Sequence, residues 1–157
     1  MREYEPIDPS TPGLTLVRVL LTVCIAEFFG PWGRDFSTSH VFNPDWVGHA
    51  RVHMMWLLGF FLFSGLANLW LVWGVQPQRL VHLQLCALWL AANLLGFWIA
   101  IATAGIYDGL IVVPGVHVFV FGVEENVFAF AVLTAILLAA VAVLRFVVRP
   151  RVGATRP

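Results

Sequence analysis

Four long apolar runs, at about residues 14–30, 47–74, 80–104 and 125–148, hold no more than two Asp, Glu, Lys or Arg side chains each. A bilayer core takes about 20 largely apolar residues per helix, whereas a helix apolar all round has no solvent-facing side to offer a small soluble domain. These runs therefore predict an all-α membrane protein, a four-transmembrane-helix bundle. Composition agrees: 60% of the residues are apolar and 11% charged, against a soluble norm of roughly half and a quarter. At 157 residues, division would leave pieces too small to bury a core, so residues 1–157 read as a single integral membrane domain. Nine basic and nine acidic side chains cancel, which gives no electrostatic case for nucleic acid.

The helix ends carry local signals. Thr11 can cap the first helix with Pro12 in its first turn, and Gly30-Pro31 closes it. Arg18 and Glu27 inside this run, with no small-residue cleavage site, mark a retained span and not a signal peptide. The second run exceeds what a membrane requires, so its first two turns are expected at the interface or beyond it. Asn43 or Asp45 can cap that helix, with Pro44 in its first turn, and Arg149-Pro150 ends the fourth. Between the third and fourth helices, β-branched and aromatic residues flank Pro114-Gly115, a type II turn pair, which predicts an extracytoplasmic hairpin or lid over residues 105–123. The alternative is that residues 116–123 lengthen the fourth helix outward.

With four spans, both termini share a side with the loop at 75–79. That side holds Arg2, Arg18, Arg79, Arg145, Arg149, Arg151 and Arg156, and only Arg34 and Arg51 lie opposite. The positive-inside rule then predicts both termini in the cytoplasm, with Trp70 and Trp73 near the inner boundary and Trp32 and Trp46 near the outer one. Cys24 and Cys86 sit in apolar runs without metal or redox spacing and read as small hydrophobes.

The opposite, outer end collects the chemistry: Glu27, Asp35, Asp45, Asp108, Glu124 and Glu125, with His40, His49, His53 and His117. A purely structural bundle has no need of such polarity at one end. His49 and His53, four apart, share a helical face, close enough to bind one metal ion, substrate or proton. Two ligands do not make a metal centre; a third, such as Glu27 or His40, would have to converge. The structural alternative leaves both as interfacial residues bonded to water or backbone. Arg51 points elsewhere, toward a carboxylate such as Asp35 or Asp45, or toward an anionic headgroup.

Glu27 is the sharpest single residue, because a carboxylate within a span is expensive and by default marks a site with a partner inside the bundle. His53 or His49 is its expected partner; the alternative is that Glu27, near the helix end, reaches the interface. Glu124 and Glu125 suit a helix N-terminus, and in succession they point to different faces, so Glu125 and Asn126 are expected to line the site. The expected catalytic set is Glu27, His49, His53 and Glu125, with Trp46, Arg51, Trp56 and Asn126 contacting substrate. Asn68, Asn93, Ser64, Thr134 and Gln84 read as interhelical glue. Phe60, Phe61, Trp89, Phe97 and Trp98 can line an apolar pocket or pack the helices.

The segment 39–53, with His40, Phe42-Asn43-Pro44, Trp46, His49-Ala50-Arg51 and His53, resembles an uncharacterised family of short four-span membrane proteins, a resemblance of about fifteen residues that implies no activity. In architecture alone the chain is similar to the emopamil-binding and sterol-isomerase superfamily, whose four-helix core holds a lipophilic ligand beside His, Glu and Trp side chains. That similarity implies a lipophilic small molecule within the bundle.

Two functions compete. The first is a small membrane enzyme acting on a lipophilic substrate, by acid–base isomerisation or hydration through Glu27 with His49 or His53, or with a divalent metal ion as cofactor. The second is a non-enzymatic ligand-binding or accessory subunit that meets a partner or a further copy of itself at its outer end. A heme-binding bundle ranks below both, because His82 lies at the membrane end opposite His49 and His53.

Overall fold

A computed structural model describes residues 4–112 and 118–152. Four helices, each long and apolar enough to cross a membrane, dominate it. Helix α1 spans Leu14–Asp35 and α2 spans Gly48–Leu69, ending in a widened π turn at Trp70–Gly74. Helix α3 spans Leu80–Thr103 with a 3-10 turn at Ala104–Ile106. A minimal antiparallel pair, β1 at Phe119–Val120 and β2 at Val123–Glu124, leads into α4 at Glu125–Val143, which continues through a π turn to Val148 and a 3-10 turn to Arg151.

Several ends differ from what local signals suggest. Gly13, not Thr11, precedes α1, in a left-handed conformation (φ 87°) where a Cβ would stand 3.0 Å from a Val147 methyl. Pro31 does not end α1: although it removes one backbone bond, Trp32, the residue after it, donates its indole N–H to the Leu58 carbonyl at 2.9 Å, which ties the end of the helix to α2. Asn43 does not cap α2 either. Its side chain receives the Asp45 N–H at 2.9 Å and so turns the loop, while Val47 precedes the helix. At α4 the sequence signal is used in full, because the Glu124 carboxylate accepts the N–H groups of Asn126 (2.9 Å) and Val127 (3.0 Å).

Pro114-Gly115 and His117 lie outside the described residues. The observed turn of the strand pair is Phe121-Gly122, both with positive φ (52° and 80°), the geometry of a two-residue hairpin whose twist matches its strands. Residues 118–124 are thus strand and turn and do not extend α4 outward.

Helix α1 packs against α2, α3 and α4, and the core is built around its Val17, Leu21, Cys24, Ile25 and Phe28 with Leu83, Leu90 and Leu94 of α3 and Leu137 and Ala140 of α4. On α2, Gly65 faces the Phe29 ring so closely that a Cβ would stand 2.6 Å from Cζ. Gly65→Ala is therefore expected to destabilise the protein by about 1–3 kcal/mol through overpacking, read as a lower thermal midpoint in detergent. Helix α3 meets α2 chiefly at the π turn 70–74, at the end where the chain termini lie.

That end is sealed. Ile7 is buried in the core, and its N–H donates to the Gln78 carbonyl at 2.7 Å, strapping the N-terminal segment across the 75–79 loop. Arg18 is satisfied there as well: its Nε donates to the Val72 carbonyl at 3.0 Å and its guanidinium lies 4.7 Å over the Trp73 ring. The opposite ends of α2 and α3 lack this tie, and the fold is open between them.

Candidate functional site

A cavity of about 1100 Å³ fills the space among the far halves of the four helices. Its size follows from composition as much as from splay. Ala26, Gly30, Gly33, Ala92, Gly96 and Ala129 form parts of its wall, and a Cβ added at any of the three glycines would meet nothing within 4 Å. Aromatic side chains from all four helices also line it, including Phe28, Phe61, Trp89, Phe97 and Phe130. Phe97 and Phe130 stack with centroids 3.8 Å apart, joining α3 to α4. This is a chamber suited in size and lining to an apolar small molecule.

Glu27 lies in its wall, only 3% exposed, and its two carboxylate oxygens have almost no accessible surface and no close hydrogen bond. Asn93 on α3 is its interhelical neighbour, with the amide close enough to interact with the carboxylate as a hydrogen-bond donor. The usual expectation for a carboxylate placed this deep is a partner within the protein, and leaving it bare costs more than a lost hydrogen bond. Phe28 and Ile25 beside it are fully packed, so the α1 backbone holds the carboxylate in place.

Seven residues along α1, roughly 10 Å away at 1.5 Å per residue, the cavity reaches a polar mouth. Arg34 on α1 pairs with Glu125 on α4, bridging two walls. Asp35 stands 3.6 Å from Nδ1 of His40, which also meets the Ser39 hydroxyl at 2.8 Å. Glu124, Asn126, Ser37 and Ser39 complete the rim. Arg34 is more than half exposed, so its pair with Glu125 should stabilise the fold by less than about 1 kcal/mol. Arg34→Ala is accordingly expected to leave the thermal midpoint in detergent nearly unchanged.

The residues singled out from sequence divide between this cavity and the surface. Glu27, Glu125, Asn126 and His40 line the cavity. His49, His53 and Trp56 do not: they are exposed on α2, where the two imidazole Nε2 atoms hydrogen-bond to each other at 3.0 Å and Trp56 lies 6.0 Å from the His53 ring. His53 stands one helical turn further out than Leu57, the first α2 residue on the cavity wall. The contact expected between Glu27 and these histidines is not formed; depth along α2, and not helical face, separates them. Trp46 packs behind the rim, its ring 5.6 Å from that of His40. Arg51 meets no carboxylate; its guanidinium donates to the carbonyls of Trp46 (3.2 Å) and Pro44 (3.3 Å) and holds the 40–47 loop.

Among the described residues, no three His, Cys, Asp or Glu side chains gather closely enough to hold a metal ion. His49 and His53 with Glu27 or His40 therefore do not form one ligand set. Asn93 and Arg34, by contrast, belong to the cavity and were not among the expected site residues. A signal for Asn93 exists in its neighbours: an intramembrane amide flanked by Ala91, Ala92 and Gly96 has small residues where packing would demand large ones. Comparison with protein-family models, with curated proteins and with solved structures finds no match for this chain.

Proposed function

We propose that the chain is an integral membrane enzyme of four spans, both termini cytoplasmic, that admits a lipophilic small molecule from the bilayer and transfers a proton to or from it with Glu27. One observation carries this reading: a carboxylate only 3% exposed, met by no cation among the described residues but by the neutral Asn93 amide, in the wall of a largely apolar cavity of about 1100 Å³. The sealed end beside the 75–79 loop and the open far end favour a chamber over a through-channel. Leu57 and Phe60 of α2 both line the cavity and are exposed, which supports access from lipid between α2 and α3. The reaction class is acid–base isomerisation or hydration, which needs a tuned proton carrier and no convergent metal ligands. Because Glu27 is held apart from His49 and His53, it acts without them, and the polar rim of Arg34, Glu125, Asp35 and His40 governs access.

The test needs no known substrate. Lipid extract incubated in D2O with wild-type protein in nanodiscs should yield one or more species that gain deuterium at carbon, seen by mass spectrometry. The same incubation with Glu27→Gln should not. A lipophilic species that co-purifies equally with both proteins and never gains deuterium would instead support the ligand-binding or accessory role.

A further inference from the structure

The histidine pair that stands outside the cavity has a geometry of its own. His49 and His53 lie one turn apart on α2, and their rings meet edge to face with the two Nε2 atoms 3.0 Å from each other. Both residues are exposed. In a hydrogen bond between two neutral imidazoles one nitrogen donates and the other accepts, and at an exposed position water competes for both roles, so the bond by itself contributes little. What the arrangement offers is the convergence of two nitrogens outside the helix.

A metal ion is the ligand that uses this convergence. Imidazole nitrogens bind transition metals at about 2.0–2.1 Å, and two of them 3.0 Å apart then subtend roughly 91–97° at the ion. That is close to the right angle between neighbouring positions of a tetragonal ion and well short of the tetrahedral angle, which favours Cu(II) or Ni(II) over Zn(II). Of these, Cu(II) has the highest affinity for nitrogen ligands. We propose that His49 and His53 form a two-nitrogen site for Cu(II) on the surface of α2, with water in the ion's other positions. The site is separate from Glu27 and takes no part in proton transfer there.

The surroundings suit such an ion. With its π turn, α2 runs 27 residues from Gly48 to Gly74, longer than the roughly 20 residues a bilayer core needs, which leaves the turns that carry His49 and His53 at the membrane surface within reach of aqueous ions. Arg51, two residues from each histidine, turns away to the carbonyls of Trp46 and Pro44 and puts no positive charge on the site. Among the described residues no third His, Cys, Asp or Glu joins the pair, so this is not the three-ligand centre of a catalytic zinc; an exposed ion completes its shell from solvent. Trp56, its ring 6.0 Å from that of His53, reports occupancy, because paramagnetic Cu(II) at the pair quenches its fluorescence.

The experiment titrates Cu(II), buffered by glycine, into the full-length protein without an affinity tag in detergent. Tryptophan fluorescence should fall to a plateau at one ion per chain, and electron spin echo modulation should count two imidazoles on the bound Cu(II). His49→Gln and His53→Gln should each weaken binding by about 10²-fold, the loss expected when a two-point attachment becomes a one-point one, and leave a single imidazole on the Cu(II) that still binds. Trp56→Phe should keep the affinity and lose much of the quenching. Because both histidines are exposed, the thermal midpoint without metal should match wild type in both variants. Two weakly held ions per chain, one lost in each variant, would show that the histidines act independently and overturn the proposal. Wild-type Cu(II) carrying one imidazole or none, or binding unchanged in either histidine variant, would overturn it as well.

Discussion

Glu27→Leu is expected to make the protein more stable and inactive at once. A buried carboxylate met only by the neutral Asn93 amide, with no close hydrogen bond and no cation among the described residues, is an under-compensated polar group, which costs about 1–3 kcal/mol. Leucine of similar size removes that penalty within an apolar wall, so the thermal midpoint in detergent should rise. Proton transfer should fall by about 10²–10⁴-fold, the usual contribution of a positioned acid or base. A residue retained for structure would show the reverse sign in stability, which makes the two measurements together more telling than either alone. Such opposition of stability and activity is the pattern of functional sites that keep an unsatisfied group for a ligand.

Gly96→Phe is the second substitution with a large expected effect. Nothing lies within 4 Å of a Cβ at this position and the cavity adjoins it, so the side chain has room to enter, and replacing a helical glycine favours the helix by roughly 0.5 kcal/mol at the backbone. The phenyl group then projects beside Asn93, one turn away, into space the ligand is proposed to occupy. The protein should fold as well as wild type, judged by circular dichroism and thermal midpoint, and lose the lipophilic species that co-purifies with wild type in nanodiscs. Retained binding would mean that the ligand lies elsewhere in the chamber. Gly65→Ala supplies the contrast: there the added methyl meets the Phe29 ring, so stability is lost and the site is untouched.

The four helices were legible because length and apolar content alone decide whether a segment can cross a bilayer, and the observed helices begin and end within a few residues of the apolar runs, apart from the first. Pro31 misled because a proline breaks a helix only where nothing else holds the chain, and the bond from Trp32 to Leu58 joins residues far apart in sequence. The polar end of the molecule was legible too, since Glu27, Glu125, Asn126 and His40 do line one cavity. What the pattern could not give was depth. Periodicity fixes the direction in which His49 and His53 point around α2, but their height relative to α1 depends on how the helices are offset, which no local signal encodes. Asn93 shows the converse: its height was clear from its position mid-span and it does reach a neighbouring helix, as interhelical glue should, but that its partner is Glu27 in a cavity wall depended on the same helix offset.

Proton transfer by Glu27 requires that the space between α2 and α3 beside it be a chamber reached from lipid. Cysteine labelling tests it directly, in a background where Cys24 and Cys86, both buried, are replaced by alanine. Gly96→Cys should react with an uncharged lipophilic maleimide and resist a charged, water-soluble one, and Glu27→Leu should not change this, whereas His53→Cys on the exposed flank should react with both. A Gly96→Cys thiol inert to the lipophilic reagent, or as reactive as His53→Cys toward the charged one, would contradict it.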